Sequence, residues 1–316
     1  MLNFVARRVP AAIVTLVLAS IAVFFLIKML PGSPATTILG DQATPEAVRA
    51  LEEKMGLADP LWQQYWDWAR GLATGDLGRS YISGEPLVET FLRAGGATLE
   101  LALGSLVVTV VCGFALGMAG ATVRLHGIQS MLKAFNAIVF GVPEYVVGIL
   151  LILAFAINVR LLPAGGREPL LEDPEIGIQY LLMPAIALGL HSAVVIARFL
   201  ETALRTELDE EYVETAFAKG SSRRRMLWRH ALPNALPSVI TVLGLRVGHL
   251  LGGALIIEAI FAWPGLGQVL ANAVIAHDYL IVQDLVVYFV VVFIAMQVAT
   301  DLVHATLDPR VRLEGE

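Results

Sequence analysis

Six stretches of this chain are each long and apolar enough to cross a bilayer, and that property leaves few folds open. A spanning helix needs roughly 20 mostly apolar residues. With no water in the hydrocarbon, its backbone N–H and C=O groups must find their partners within the segment. Hydropathy predicts helices from about Val9 to Leu30, Ala97 to Val123, Lys133 to Ile157, Ile178 to Phe199, Ala235 to Ile257 and Asp284 to Thr306. Composition agrees. Of the 316 residues, 57% are hydrophobic and 16% charged, against about half and about a quarter in soluble domains. A soluble enzyme and a disordered chain are excluded. The expected fold class is all-α, a polytopic membrane protein with six transmembrane helices.

The first stretch follows Arg7 and Arg8 as the apolar part of a signal peptide would. It is longer than the roughly 7–15 residues of such a segment, and it ends in Lys28-Met-Leu-Pro31 rather than at a small-residue cleavage site. It reads as a retained span. Arg124 and Lys133 lie between the second and third spans, and Arg205, Lys219, Arg223, Arg224, Arg225 and Arg229 between the fourth and fifth. Arg310 and Arg312 lie in the tail, whereas the loop before the sixth span has no Lys or Arg. In the loop after the third span, Arg160 and Arg167 are outweighed by Glu168, Glu172, Asp173 and Glu175. Lys and Arg collect on the cytoplasmic side, so both termini are expected there.

Two parts are expected: residues 1–96, the first span with a long external loop, and residues 97–316, a five-helix core that includes the cytoplasmic loop 201–237. In the external loop, Thr44-Pro45-Glu46 reads as a helix start and Gly56 as its end. Pro60 opens a second helix, with Leu61, Tyr65, Trp68, Ala69 and Leu72 on one face. Trp62, Trp66 and Trp68 are three of the five tryptophans. They suit an interfacial anchor or a docking surface for an external partner. The net charge is −6 with no long basic block, which argues against nucleic acid as a partner. Cys112 is the single cysteine, and no histidines stand at zinc-site spacing.

The loop 201–237 is the most informative segment. Tyr212, Val213, Ala216 and Phe217 share one helical face. Gly220 suits a helix C-cap, and Ser222 can N-cap a basic helix. A helix this short is marginal alone and suits a partner groove. The loop resembles the EAA motif of ABC importer permeases, with the pattern E-A-A-x3-G-x9-I-x-L-P. Glu214, Thr215, Ala216, Gly220, His230, Leu232 and Pro233 stand at that spacing, with Thr215 in place of Ala and His230 in place of Ile.

Further segments are similar to permeases of the dipeptide/oligopeptide/nickel group. They are Leu30-Pro-Gly-Ser-Pro34, Gly56-Leu-Ala-Asp-Pro60, Gly75-Asp-Leu-Gly-Arg-Ser80, Gly252-Gly253, Phe261-Ala-Trp-Pro-Gly-Leu-Gly267 and Asp308-Pro-Arg-Val-Arg312. The resemblance covers nearly the whole chain and is to the first permease of a pair. It implies a type I ABC importer permease fold in a bacterial or archaeal cytoplasmic membrane. The implied partners are a second homologous permease subunit, two ATPase subunits, one of which receives the helix that ends at Gly220 in a cleft, an extracytoplasmic substrate-binding protein and the lipid bilayer. The chain has no G-x-x-x-x-G-K-[ST] loop. It is therefore expected to be no enzyme and to bind no cofactor, with ATP used by the partners.

Ionisable groups at membrane depth are costly and mark functional candidates. Glu144 follows Pro143 near the middle of the third span, and Arg246 and His249 are one turn apart on the fifth. They could form a structural ion pair, contact a partner subunit or line the pathway for charged peptide ends. His191 reads as a hydrogen-bonded interhelical residue. Lys28 and Glu100, near span ends, are expected to snorkel, as are Asp301 and His304. Gly113 and Gly117, and Gly244, Gly248 and Gly252, recur every four residues as in closely packed spans. A secondary transporter or channel without an ATPase is the alternative, but no repeated half is visible. An intramembrane enzyme would need motifs such as H-E-x-x-H or G-x-S-x-G, which are absent.

Overall fold

The computed structural model describes residues 2–30 and 32–307, and the side chains of 10–30 and 32–300. Expectations resting on Arg7, Arg8, Pro31, Asp301, His304, Arg310, Arg312 and the Asp308–Arg312 motif lie outside the described residues. In chain order the helices are α1 (Leu2–Lys28), α2 (Pro34–Leu39), α3 (Pro45–Lys54), α4 (Leu61–Thr74), α5 (Leu87–Thr122), α6 (His126–Gly141) and α7 (Glu144–Leu151). They continue with α8 (Pro174–Leu208), α9 (Glu211–Ala218), α10 (Arg223–Met226), α11 (Leu232–Ile260), α12 (Leu266–Ile275) and α13 (Tyr279–Leu307). π-helical turns extend α7 over Ile152–Asn158 and join α10 to α11 over Leu227–Ala231.

Among the described residues, five helices are long and apolar enough to cross a membrane, or six if α6 and α7 count as one span. The span expected over 133–157 is broken at Pro143, where α6 and α7 meet at 105°. Pro143 has no N–H to continue the ladder, and it forces Val142 into an extended conformation (φ −98°, ψ 125°). α5 starts at Leu87, before the expected Ala97. Leu87, Phe91 and Ala94 are buried while Glu89 and Arg93 face outward, so this turn is amphipathic rather than wholly apolar.

The chain forms two compact units, Met1–Ala97 with Pro264–Ala295, and Thr98–Trp263 with Met296–Glu316. In the first unit α4 packs on α1. Phe24 is buried against Tyr65 and Trp68, with ring centroids 5.5 and 6.0 Å away. Trp68 Nε1 donates to Asp284 Oδ1 at 2.7 Å. Trp68 is thus internal, while Trp62 and Trp66 on the same helix are exposed. Lys28, expected to snorkel, has a partner within this unit. Its ammonium donates to Gln64 Oε1 at 2.5 Å, and the Gln64 amide donates to the Leu57 and Asp59 carbonyls.

The Gly75–Ser80 segment is tied down in the same unit. Gly75 ends α4 in the left-handed region (φ +80°). Ser80 Oγ donates to the buried Asp278 carboxylate at 2.5 Å, and the Tyr81 and Ile82 N–H groups donate to it at 3.4 Å. Burial, with the Asp278 and Asp284 carboxylates beside it, raises the Tyr81 phenol above its ordinary pKa. The stretch before the last span also holds a helix that the sequence reading omitted. This is α12, whose Leu266 packs with Leu87, Phe91, Ala94 and Leu285.

In the second unit α8 is the most enclosed helix, and glycines bring α5 against it. A Cβ at Gly113 would lie 2.9 Å from Ile196 and 3.0 Å from the Ala193 carbonyl oxygen. One at Gly117 would lie 2.9 Å from the Ala197 carbonyl oxygen, and one at Gly189 2.5 Å from that of Ser105. Thr109 Oγ1 donates to the Gly189 carbonyl at 3.0 Å across the same contact. On α11 the register differs from the expected stripe. Gly244 meets Thr300, but nothing lies within 4 Å of a Cβ at Gly252, and the close approach is made by Gly253 against Glu144 and Leu188.

Glu100, the second residue expected to snorkel, is likewise partnered within its own unit. Its carboxylate accepts from the Arg167 guanidinium and from the Leu170 N–H at 3.2 Å. Arg167 lies over the buried Trp263 ring at 5.9 Å. Adding volume at a close helix contact costs about 1–3 kcal/mol, and away from such contacts substitutions stay within about 0.5 kcal/mol. Gly113→Leu should therefore lower the thermal unfolding temperature of the purified protein, while Gly252→Ala leaves it nearly unchanged. Equal effects would contradict the assigned α5–α8 contact.

Candidate functional site

The loop 201–237 is built by local capping. α9 follows Leu208 almost at once, and only Val213 of its apolar residues is buried. Tyr212 and Phe217 stay exposed, so the face that the sequence groups together is largely unoccupied by this chain. The Tyr212 hydroxyl donates to Glu207 Oε2 at 2.7 Å and accepts from Asn234 at 3.1 Å, pinning the start of α9 to the ends of α8 and α11. Burial and the Glu207 hydrogen bond raise this phenol's pKa above its ordinary value.

α9 ends in a Schellman turn. The Gly220 N–H donates to the Phe217 carbonyl at 2.9 Å, and the Ser221 N–H to the Ala216 carbonyl at 3.0 Å. Gly220 takes φ +86°, a conformation that glycine adopts without steric penalty. Ser222 then caps α10, its Oγ accepting from the Arg225 N–H at 3.4 Å. Glu214, Thr215, Gly220 and Pro233 are exposed, Ala216 and His230 half-buried, and Leu232 buried. Leu232 packs with Leu200, Leu204 and Leu227. Among the described residues, no hydrogen bond or ion pair holds the Glu214 carboxylate.

The mid-span polar residues meet where α6, α7, α8 and α11 come together. Glu144 occupies the first turn of α7, where the helix dipole favours a carboxylate. Its Oε1 lies 3.5 Å from His249 Nδ1. The His249 ring lies parallel to that of His191, centroids 5.9 Å apart, and His191 stacks on Phe140 at 5.2 Å. His191 Nδ1 is buried without a hydrogen-bond partner, but the ring is tied to the Val139 backbone of α6, in keeping with the interhelical role expected from sequence. Arg246 is half-buried one turn from His249. Among the described residues no ion pair joins Arg246 to Glu144. Of the two α11 groups His249 makes the close approach, while Glu144 Oε1 itself accepts no hydrogen bond. Both Glu144 and Arg246 are at least partly enclosed by this chain.

Sequence reasoning missed Glu258, which is fully buried near the end of α11 and accepts from Thr98 Oγ1 at 2.6 Å. A lone carboxylate closing an apolar run was the available signal. It also missed the link between Ser80 and Asp278, 198 positions apart, which no local pattern joins.

The family described as "Binding-protein-dependent transport system inner membrane component" matches residues 102–313, and its N-terminal companion matches residues 1–102. The chain is 33% identical to the dipeptide transport system permease protein DppB of Alkalihalophilus pseudofirmus, covering 99% of this chain and 100% of that one. It is 34% identical to the glutathione transport system permease protein GsiC of Escherichia coli K12, covering 99% of each. Among solved structures, an inward-facing MetNI methionine ABC transporter matches 71% of this chain and 99% of its own, with TM-score 0.59 and 21% identity. An amino acid ABC transporter with histidines matches 70% and 95%, with TM-score 0.56 and 15% identity. These two similarities establish the fold.

Residues in direct contact couple energetically by about 0.5 kcal/mol or more, and separated ones add. Glu144→Gln and His249→Gln should therefore be non-additive in a double-mutant cycle read by thermal unfolding of the purified protein. Glu144→Gln with Arg246→Gln should be closer to additive. The reverse order would restore the pair considered from sequence.

Proposed function

Because the chain belongs to the family of binding-protein-dependent transport system inner membrane components, we propose that it forms half of a translocation pathway for peptides or similar small solutes, beside a second homologous permease. It is a multi-pass permease subunit of an ABC importer and not an enzyme. ATP is used by partner ATPase subunits, and a substrate-binding protein supplies the cargo. The relatives named for dipeptides and glutathione support a small cargo with charged ends. Glu144, Arg246 and His249 offer both signs of charge at membrane depth, and their role is to line the pathway for such ends.

The observation that carries the coupling role is the face of α9, held by its caps yet exposed at Glu214 and Phe217. In this reading Glu214, Thr215, Ala216, Gly220, His230, Leu232 and Pro233 form the contact that passes ATPase motion to the spans. The two exposed carboxylates of the first turn, Glu211 and Glu214, bring charge to the contact. The Leu232 side chain fixes the loop to α8.

The test uses the assembled importer in vesicles. A left-handed conformation costs an ordinary L-residue about 1–2 kcal/mol, and valine tolerates it least. Gly220→Val should depress transport and cargo-stimulated ATP hydrolysis together, while cargo binding to the external protein stays unchanged. Gly220→Asn, which accepts positive φ more readily, should retain most of both. Full transport and full stimulation in the valine variant would contradict the reading.

A further inference from the structure

The helix that returns from the cytoplasmic loop carries a second surface, opposite in sign to that of α9. From Ser222 onward, Met226, Leu227, Ala231 and Leu232 are buried, the last three packing against Ile196, Leu200 and Leu204 of α8. The opposite face holds Arg224 with Trp228 and Arg225 with Arg229, two pairs four residues apart that line up along a helix. All four are exposed, as is Arg223. A cavity of about 580 Å³ is lined by Ser222, Arg224, Arg225, Trp228 and Arg229. The depression is open to solvent, and Trp228 and Arg229 of its lining belong to the π-helical turn Leu227–Ala231, a rare geometry that recurs at functional sites. Among the described residues no carboxylate pairs with any of these arginines.

The level of this cavity follows from its packing. The apolar run of α8 ends near Phe199, and Leu227 packs beside Leu200 and Leu204 just beyond it. At the same level Arg205 pairs with Glu201 at 2.9 Å and donates to the Gly120 carbonyl near the end of α5. Ionised side chains that begin on α8 at this depth mark the inner edge of the hydrocarbon. Guanidinium groups bind phosphate oxygens in a bidentate manner, and an exposed indole beside them favours the headgroup layer. The acidic first turn of α9 lies across the Gly220 turn, so the loop divides into an acidic-aromatic face and a basic face.

We infer that Arg224, Arg225, Trp228 and Arg229 form a binding site for the phosphate headgroup of an anionic phospholipid in the inner leaflet. The lipid seats the return helix at the membrane surface, next to the turn that carries α9. Basic residues near an anionic surface each contribute about fivefold to binding.

The complete importer, embedded in nanodiscs containing phosphatidylglycerol and then released, is analysed by native mass spectrometry for tightly held phosphatidylglycerol. Arg224→Gln/Arg225→Gln/Arg229→Gln should lose one such lipid per permease, with affinity falling roughly a hundredfold by the same scale. The corresponding triple Lys variant should keep part of it. If the Gln triple fails to assemble, Arg229→Gln and Trp228→Ala carry the test singly, each expected to weaken retention severalfold. Wild-type retention in the Gln triple, or in both single variants, would overturn the inference. Loss of the ATPase chains with lipid retention unchanged would overturn it too, by assigning the patch to the ATPase surface.

Discussion

The close approach of α5 and α8 is the contact on which the second unit depends. In a bilayer, helices gain little from hiding apolar surface, so association rests on packing and on the few polar groups that reach across. Gly113, Gly117 and Gly189 remove the side chains that would hold the two backbones apart, and Thr109 adds a hydrogen bond at the contact. With α8 held this way, its middle brings His191 to the polar cluster and its inner end gives Leu200 and Leu204 to the core under the loop. The geometry of α9 follows from there, because the Tyr212 hydrogen bonds and the Leu232 contact both refer it to α8.

The same arrangement says how motion could pass between the loop and the spans. α9 has a glycine turn at one end and a hydroxyl anchor at the other, and the following helix runs without a break in helical character from Arg223 to Ile260. A push on the exposed face of α9 meets a fixed cap, a buried leucine core and then the helix that carries Arg246, His249 and Gly253. Gly253 lies against Glu144, at the head of the bent half-span. The loop and the mid-span polar groups thus share one continuous helix.

Much of this was legible in the sequence because its causes are local. Apolar runs mark the spans, Gly220 and Ser222 mark two caps, and the glycine spacing on α5 marks a packing face. What escaped depended on choices that a linear pattern averages out. A hydropathy window is blind to direction, so the 105° bend at Pro143 was invisible even though the proline was noted. Arg246 and His249 differ by less than one turn, and only the rotation of α11 decides that His249 meets Glu144. The same rotation brings Gly253, rather than Gly252, into contact. Lys28 and Glu100 were expected to reach outward because the sequence does not reveal Gln64 and Arg167, which meet them in the folded chain.

The central claim is that the exposed face of α9 is the seat of an ATPase subunit. It is tested most directly by placing a photoreactive amino acid at Phe217 and irradiating membranes that contain the whole importer. The account predicts a crosslinked band with the combined mass of this chain and one ATPase chain, weakened when the same probe replaces the buried Val213 instead. A probe at Phe217 that labels only lipid or the second permease, with the ATPase present and active, would contradict it.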